Sequence, residues 1–111
     1  MGERAARAYL EAKGLRFVGA NLRVGRDEVD LLMREGETLV FVEVKLRKDA
    51  DLAQARESVT PAKQRKVRTA ALRYLSQHPS QLQPRFDVVE VYAPQGVETV
   101  LPTIYHLENA F

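Results

Sequence analysis

Glu43 and Lys45 stand two residues apart in the run Thr38 to Leu46, which is otherwise β-branched and apolar. Strand alternation puts Val40, Val42, Val44 and Leu46 on one face and Leu39, Phe41, Glu43 and Lys45 on the other. A carboxylate and an ammonium thus share an apolar face, where removal from water costs several kcal/mol each unless they are compensated. The preceding run, Glu28 to Arg34, contributes another acid in apolar company: Asp30, followed by Leu31, Leu32 and Met33. If the two runs pair as a hairpin across Gly36, Asp30 comes beside Glu43. Carboxylates that close repel, and one pKa rises unless a divalent cation lies between them. Mg²⁺ or Mn²⁺ suits such a pair, being held by one or two carboxylates with water and phosphate oxygens completing the shell. Lys45, projecting beyond Glu43 on the same face, is placed to position or help deprotonate an attacking water and to neutralise charge developing on a phosphate. Any two of the three residues also fit a plain ion pair. The three together point to metal-dependent phosphodiester chemistry.

The elements that must position these groups follow from local signals. Glu3 to Lys13 reads as a helix stopped by Gly14. Phe17 to Arg23 and Glu28 to Arg34 read as strands joined at Gly25, and Gly36 turns the chain into Thr38 to Leu46. Leu52 to Glu57 fits a short helical turn. Thr60 before Pro61 is an N-cap with proline at the first helical position, and the helix ends near His78 and Pro79. Phe86 to Tyr92 reads as a further strand, and Val100 to Tyr105 as a weaker one interrupted by Pro102. Helix, three strands, helix and one or two strands describe an α/β protein with a central mixed β-sheet flanked by helices.

Length and composition narrow the function classes. The chain has 111 residues, the size of one domain spanning 1–111, with 45% hydrophobic and 29% charged residues. The apolar stretch around Leu39 to Val44 is far shorter than the roughly 20 residues of a spanning helix, and the N-terminus lacks the apolar core of a secretory signal, so a cytoplasmic location is expected. There is no cysteine, which excludes disulfides and zinc–thiolate sites, and two histidines are too few for a histidine-rich centre. A metal here must be held by oxygen. Net charge is only +2, but Lys63, Arg65, Lys66, Arg68 and Arg73 gather in one helix, near Arg47 and Lys48 at a strand end. That distribution fits a polyanion as well as a solvated helix face.

The strand pair resembles the PD-(D/E)xK signature of restriction-endonuclease-like nucleases, with Asp30 in the D position and Glu43, Val44 and Lys45 as E-x-K; Val29 stands where the signature has proline. The whole chain is similar to the YraN-like family of small bacterial proteins, assigned to that nuclease fold. The resemblance runs through Gly2, Glu3, Ala6, Tyr9 and Leu10, then Gly14, Asn21 and Arg23, Asp27 to Leu32, Phe41 to Lys45, Lys63 and Arg85 to Val89. Asp27 replaces the family's glycine before Glu28, and Leu46 stands where threonine or serine is common.

The resemblance implies a metal-dependent nuclease with Asp30, Glu43 and Lys45 as catalytic residues and Mg²⁺ or Mn²⁺ on Asp30 and Glu43. It adds Glu3 as a further metal carboxylate. The spacing of Glu3, Ala6 and Leu10 aims Glu3 toward the sheet, although a first-turn glutamate also stabilises a helix dipole. Lys63, one turn before Val67, either touches the scissile phosphate or braces the helix end. Arg65, Lys66, Arg68 and Arg47 are expected on the nucleic-acid backbone. Glu28 shares Asp30's face by alternation but lies nearer the turn, while Arg85 and Asp87 read as structural. DNA, branched or flapped, cut with low sequence preference by an enzyme acting as a homodimer, is the expectation by analogy. The rivals are a catalytically silent nucleic-acid-binding module of the same fold and a protein-interaction domain.

Overall fold

A computed structural model of the chain describes residues 2–47, 60–78, 81–93 and 103–110. Its elements are α1 (Gly2–Ala12), β1 (Arg16–Val24), β2 (Asp27–Glu35), β3 (Thr38–Arg47), α2 (Pro61–Gln77), β4 (Gln83–Tyr92) and β5 (Thr103–Leu107). The strands form one sheet in the order β1-β2-β3-β4-β5. β1, β2 and β3 are antiparallel neighbours, β4 runs parallel to β3, and β5 is antiparallel to β4. The parallel pair requires a crossover, and α2 lies within it. The mixed sheet flanked by helices is therefore the architecture that the strand and helix signals imply.

Each sheet face has its own core, and β3 shows why. Val40 and Val42 pack with Ala6 and Leu10 of α1, while Leu39 and Phe41 pack with Ala70 and Ala71 of α2. Full burial of each such Leu or Phe side chain stabilises the fold by about 1.5–3 kcal/mol. Gly14, at φ 102°, ends α1 where a side chain would be strained. Thr60 caps α2 as its sequence indicates, its side chain accepting a hydrogen bond from the Lys63 N–H at 3.2 Å. The last strand lies at Thr103–Leu107, beyond Pro102 and further along than Val100 to Tyr105. The helical turn expected at 52–57 lies outside the described residues. Among these, no helix is long and apolar enough to cross a membrane.

Alternation fails at one level of the sheet. Leu31 and Ala20 pack with the α1 layer, yet Val29 and Leu22, two residues away on their strands, pack with the α2 layer. Ala20 pairs with Leu31 and Leu22 with Val29, so Asn21, at φ 50°, lies level with Asp30. Both strands switch faces together there. The β2–β3 ladder ends one residue earlier, at Leu31 with Val42.

Candidate active site

Asp30 occupies the point where β2 leaves β3. The N–H of Val44, which a continuing strand would engage, donates instead to Asp30 Oδ2 at 2.9 Å. The side chain thus replaces the ladder and is fixed by it. Burial pushes the Asp30 carboxyl above its ordinary value; the Val44 N–H opposes this, and the negative charges of Glu3, Glu43 and Glu28 add to the rise.

Three elements bring those acids together. Glu3 enters from the first turn of α1, whose start lies against β3: a Cβ on Gly2 would touch Leu46 and Val44 at 3.6 and 3.7 Å. Glu28 comes from β2, two residues before Asp30. One carboxylate oxygen from each of Glu3, Glu28 and Asp30 lies within 4.8 Å of the other two. Glu43 lines the same pocket of about 70 Å³ as Glu28 and Asp30, closed by Val29, Val42 and Val67. Of the sequence-derived metal set, Glu3 and Asp30 fall within this close group and Glu43 sits beside it; Glu28, which alternation places on Asp30's face, joins it although it lies nearer the turn.

Glu43 is half satisfied. Its Oε1 pairs with Lys45 Nζ at 2.9 Å, whereas Oε2 is buried without a hydrogen-bond partner. Lys45 keeps its proton firmly: burial works against the charged form, but the bonds to Glu43 and Lys63 and the field of Asp30 outweigh it and raise the pKa. Lys63 moves the opposite way, its pKa lowered chiefly by its hydrogen bond to Lys45 and by that residue's charge. The pair shares one proton-rich contact at the edge of the acidic group.

A wider cleft of about 270 Å³ shares Glu28, Glu43 and Val67 with this pocket and is lined further by Lys63 and Lys66 of α2 and by Arg26 and Asp27 at the β1–β2 turn. Arg65 and Arg68 do not line it. Arg47 faces inward, its Nε 3.7 Å from Oε2 of Glu90, a fully buried residue level with Lys45 on β4. Neither oxygen of Glu90 nor Arg47 Nε makes a hydrogen bond. Glu90 escaped sequence reasoning because Phe86 to Tyr92 reads as a strand in which an isolated polar residue is tolerated. Arg26 escaped it as an ordinary turn residue, though it directly precedes the acids of β2.

Asp87 and Arg85 form a separate, structural network. The buried Asp87 carboxylate accepts from Arg85 Nε and Nη2 at 2.9 Å each, from the Asn109 N–H at 3.0 Å, and contacts His106 Nε2 at 2.7 Å. Arg85 also pairs with Glu35 at 3.0 Å, so the network ties β4 to β2 and to the end of β5.

A family match spans the part of the chain that carries Glu3, Glu28, Asp30, Glu43 and Lys45. The model of a family described as "Uncharacterised protein family UPF0102" matches residues 2–91. A UPF0102 protein of Chromohalobacter salexigens is 48% identical over 89 residues, covering 80% of this chain and 72% of that protein. One of Geobacter sulfurreducens is 41% identical over 113 aligned residues, covering 99% and 84%. The UPF0102 protein YraN of Escherichia fergusonii is 48% identical over 87 residues, covering 76% and 66%.

Proposed function

We propose a hydrolytic function for this chain, which belongs to the UPF0102 protein family: it is a metal-dependent nuclease of restriction-endonuclease-like fold that cleaves phosphodiester bonds in DNA. One observation carries the reading. Carboxylates of Glu3, Glu28 and Asp30 converge within 4.8 Å, beside a Glu43 oxygen that is buried without a donor. Such a group repels itself in the free protein and is compensated by a hard divalent cation. An all-oxygen donor set with no cysteine fits Mg²⁺ or Mn²⁺, held by Asp30 and Glu43 with Glu3 and Glu28 adding charge.

A bound cation of this kind supplies Lewis-acid polarisation of a phosphoryl oxygen. The side chains supply the rest. In the hydrolysis, a bond forms from the water oxygen to phosphorus as the bond to one sugar oxygen breaks, and the water proton ends on that leaving oxygen. Lys45, kept as an ammonium, donates hydrogen bonds to the attacking water and to a non-bridging oxygen, which favours positioning and charge neutralisation over a role as base. Lys63 extends that positive edge. The remaining cations bind backbone phosphates, so sequence preference is low and binding is strongly salt-dependent. Branched or flapped DNA and a dimeric enzyme belong to this reading by analogy alone.

The Glu43–Lys45 ion pair favours a second reading, a silent nucleic-acid-binding module in which these charges satisfy each other. Incubation of the protein with linear, flapped and four-way-junction DNA in Mn²⁺ separates the two. Cutting that disappears in Asp30→Asn supports the nuclease; binding without cutting by a metal-loaded protein supports the module.

A further inference from the structure

We propose that the cleft between the β1–β2 turn and α2 is a two-walled clamp for a single nucleic-acid backbone, with Arg26 on one wall opposite Lys63 and Lys66 on the other. The inference rests on the nuclease reading and adds to it a residue and a mode of grip.

The cations of the cleft come from two separate elements. Glu28 and Glu43 line both the cleft and the acidic pocket, Arg26 comes from the β1–β2 turn with Asp27 beside it, and Lys63 and Lys66 come from α2. A phosphate in the cleft meets cations from both the turn and the helix, and a metal ion on the acids offsets the negative charge of Glu28 and Glu43. Helical spacing explains why α2 offers these two lysines: Lys63, Lys66 and Val67 stand at i, i+3 and i+4 and share a face, whereas Arg65 and Arg68 belong to other faces. Among the described residues neither Arg26 nor Lys66 forms an ion pair, in contrast to Lys45, Arg47 and Arg85. Their charge is available to a ligand.

The walls are also fixed to each other. Val24 pairs with Asp27 across a two-residue turn whose first residue, Gly25, has φ 67°. The Arg73 guanidinium, from α2, fills the space that a Cβ on Gly25 would need. A helix side chain therefore lies directly on the turn that carries Arg26, and the Thr60 cap fixes the backbone at Lys63 on the far wall.

Size and lining define the occupant. At about 270 Å³ the cleft lies below the roughly 300–1,000 Å³ of ordinary small-ligand pockets. That is room for a stretch of sugar–phosphate chain and not for a paired duplex. Among the described residues no aromatic side chain lines it, so these offer bases no stacking platform and recognition rests on phosphate.

The test is fluorescence anisotropy of a labelled single-stranded oligonucleotide with Ca²⁺ in place of Mg²⁺, over a series of KCl concentrations. Each lost phosphate contact lowers the slope of log K against log salt by about 0.7 for single strands. Arg26→Ala and Lys66→Ala should each show that loss, and Arg26→Lys should restore the slope. Arg16→Ala, an exposed cation at the other end of β1, should match the wild type. A wild-type slope in Arg26→Ala, or an equal loss in Arg16→Ala, overturns the clamp. Mn²⁺ calorimetry and cleavage assays on the same proteins keep the two ideas apart: cutting that ignores Arg26 removes the clamp and leaves the nuclease, whereas Arg26-dependent binding with no metal uptake or cutting removes the nuclease and leaves the clamp.

Discussion

Asp30→Asn should have opposite effects on the metal-free and metal-bound protein. At 4.8 Å, the outer separation within the acidic group, two unit charges repel by about 3.5 kcal/mol at an effective dielectric of about 20. Glu28 is exposed and water screens it, which reduces the net relief from removing one charge to about 1 kcal/mol. Asparagine keeps an oxygen to accept from the Val44 N–H, so the splice between β2 and β3 survives. The metal-free variant should therefore melt higher than the wild type, by about 4 °C for a domain of this size. Metal reverses the order. A hundredfold excess of Mn²⁺ over its dissociation constant stabilises the wild type by about 2.7 kcal/mol, or roughly 10 °C, and the variant by little. Differential scanning fluorimetry in EDTA and in Mn²⁺ reads both numbers. A metal-free melting point several degrees below wild type, with the Mn²⁺ shift intact, would show Asp30 to be a structural aspartate and no metal ligand.

Other substitutions probe other parts of the site and fold. Lys45→Ala should reduce kcat by about 10²–10³ while oligonucleotide affinity in Ca²⁺ changes little, because the lost ammonium acts on developing charge. Because the Asp30 pKa is raised, the folded state holds that proton more tightly than the unfolded state, so metal-free stability should rise as pH falls from 7 toward 3.8; urea titrations of Asp30→Asn should lack this gain. Asp87 has the opposite sign: burial pushes its pKa up, but His106, Arg85 and the Asn109 N–H hold it below 3.8 overall, so its stabilisation is present above that pH and lost as pH falls through the lowered value. Asp87→Asn should cost about 3 kcal/mol in urea unfolding at pH 7 and remove this acid sensitivity. Gly25→Ala should cost about 1–2 kcal/mol through its positive φ and also displace Arg73, visible as a lower urea midpoint and weaker oligonucleotide binding.

Much of the fold was legible because periodicity and punctuation agree. The β3 face carrying Leu39, Phe41, Glu43 and Lys45 follows from alternation alone, and Thr60 with Pro61 marks the start of α2 to the residue. The hairpin across Gly36 correctly implied that Asp30 and Glu43 would be neighbours. What sequence could not show is how they meet. Alternation assumes an unbroken ladder, and the paired face switch at Asn21 and Asp30 depends on two strands at once, which no single-strand pattern reports. Glu28 shares Asp30's face by alternation, and the three-way approach of Glu3, Glu28 and Asp30 appears only once α1 is seen against the sheet. The contact of Arg47, expected on the nucleic-acid backbone, with Glu90 is not legible in the sequence because Glu90 lies on a strand far away in the chain and next to it only through the parallel β3–β4 register. Arg26 is legible only after the turn and α2 are seen to face each other.

The most direct measurement is anomalous scattering from a crystal soaked in Mn²⁺. A peak bound by oxygens of Asp30 and Glu43, at about the 2.0–2.2 Å expected of hard-cation ligands and lost in Asp30→Asn, is the predicted result. Saturating Mn²⁺ with no peak among these carboxylates, and Glu43 still closed on Lys45, would show that these acids hold no metal.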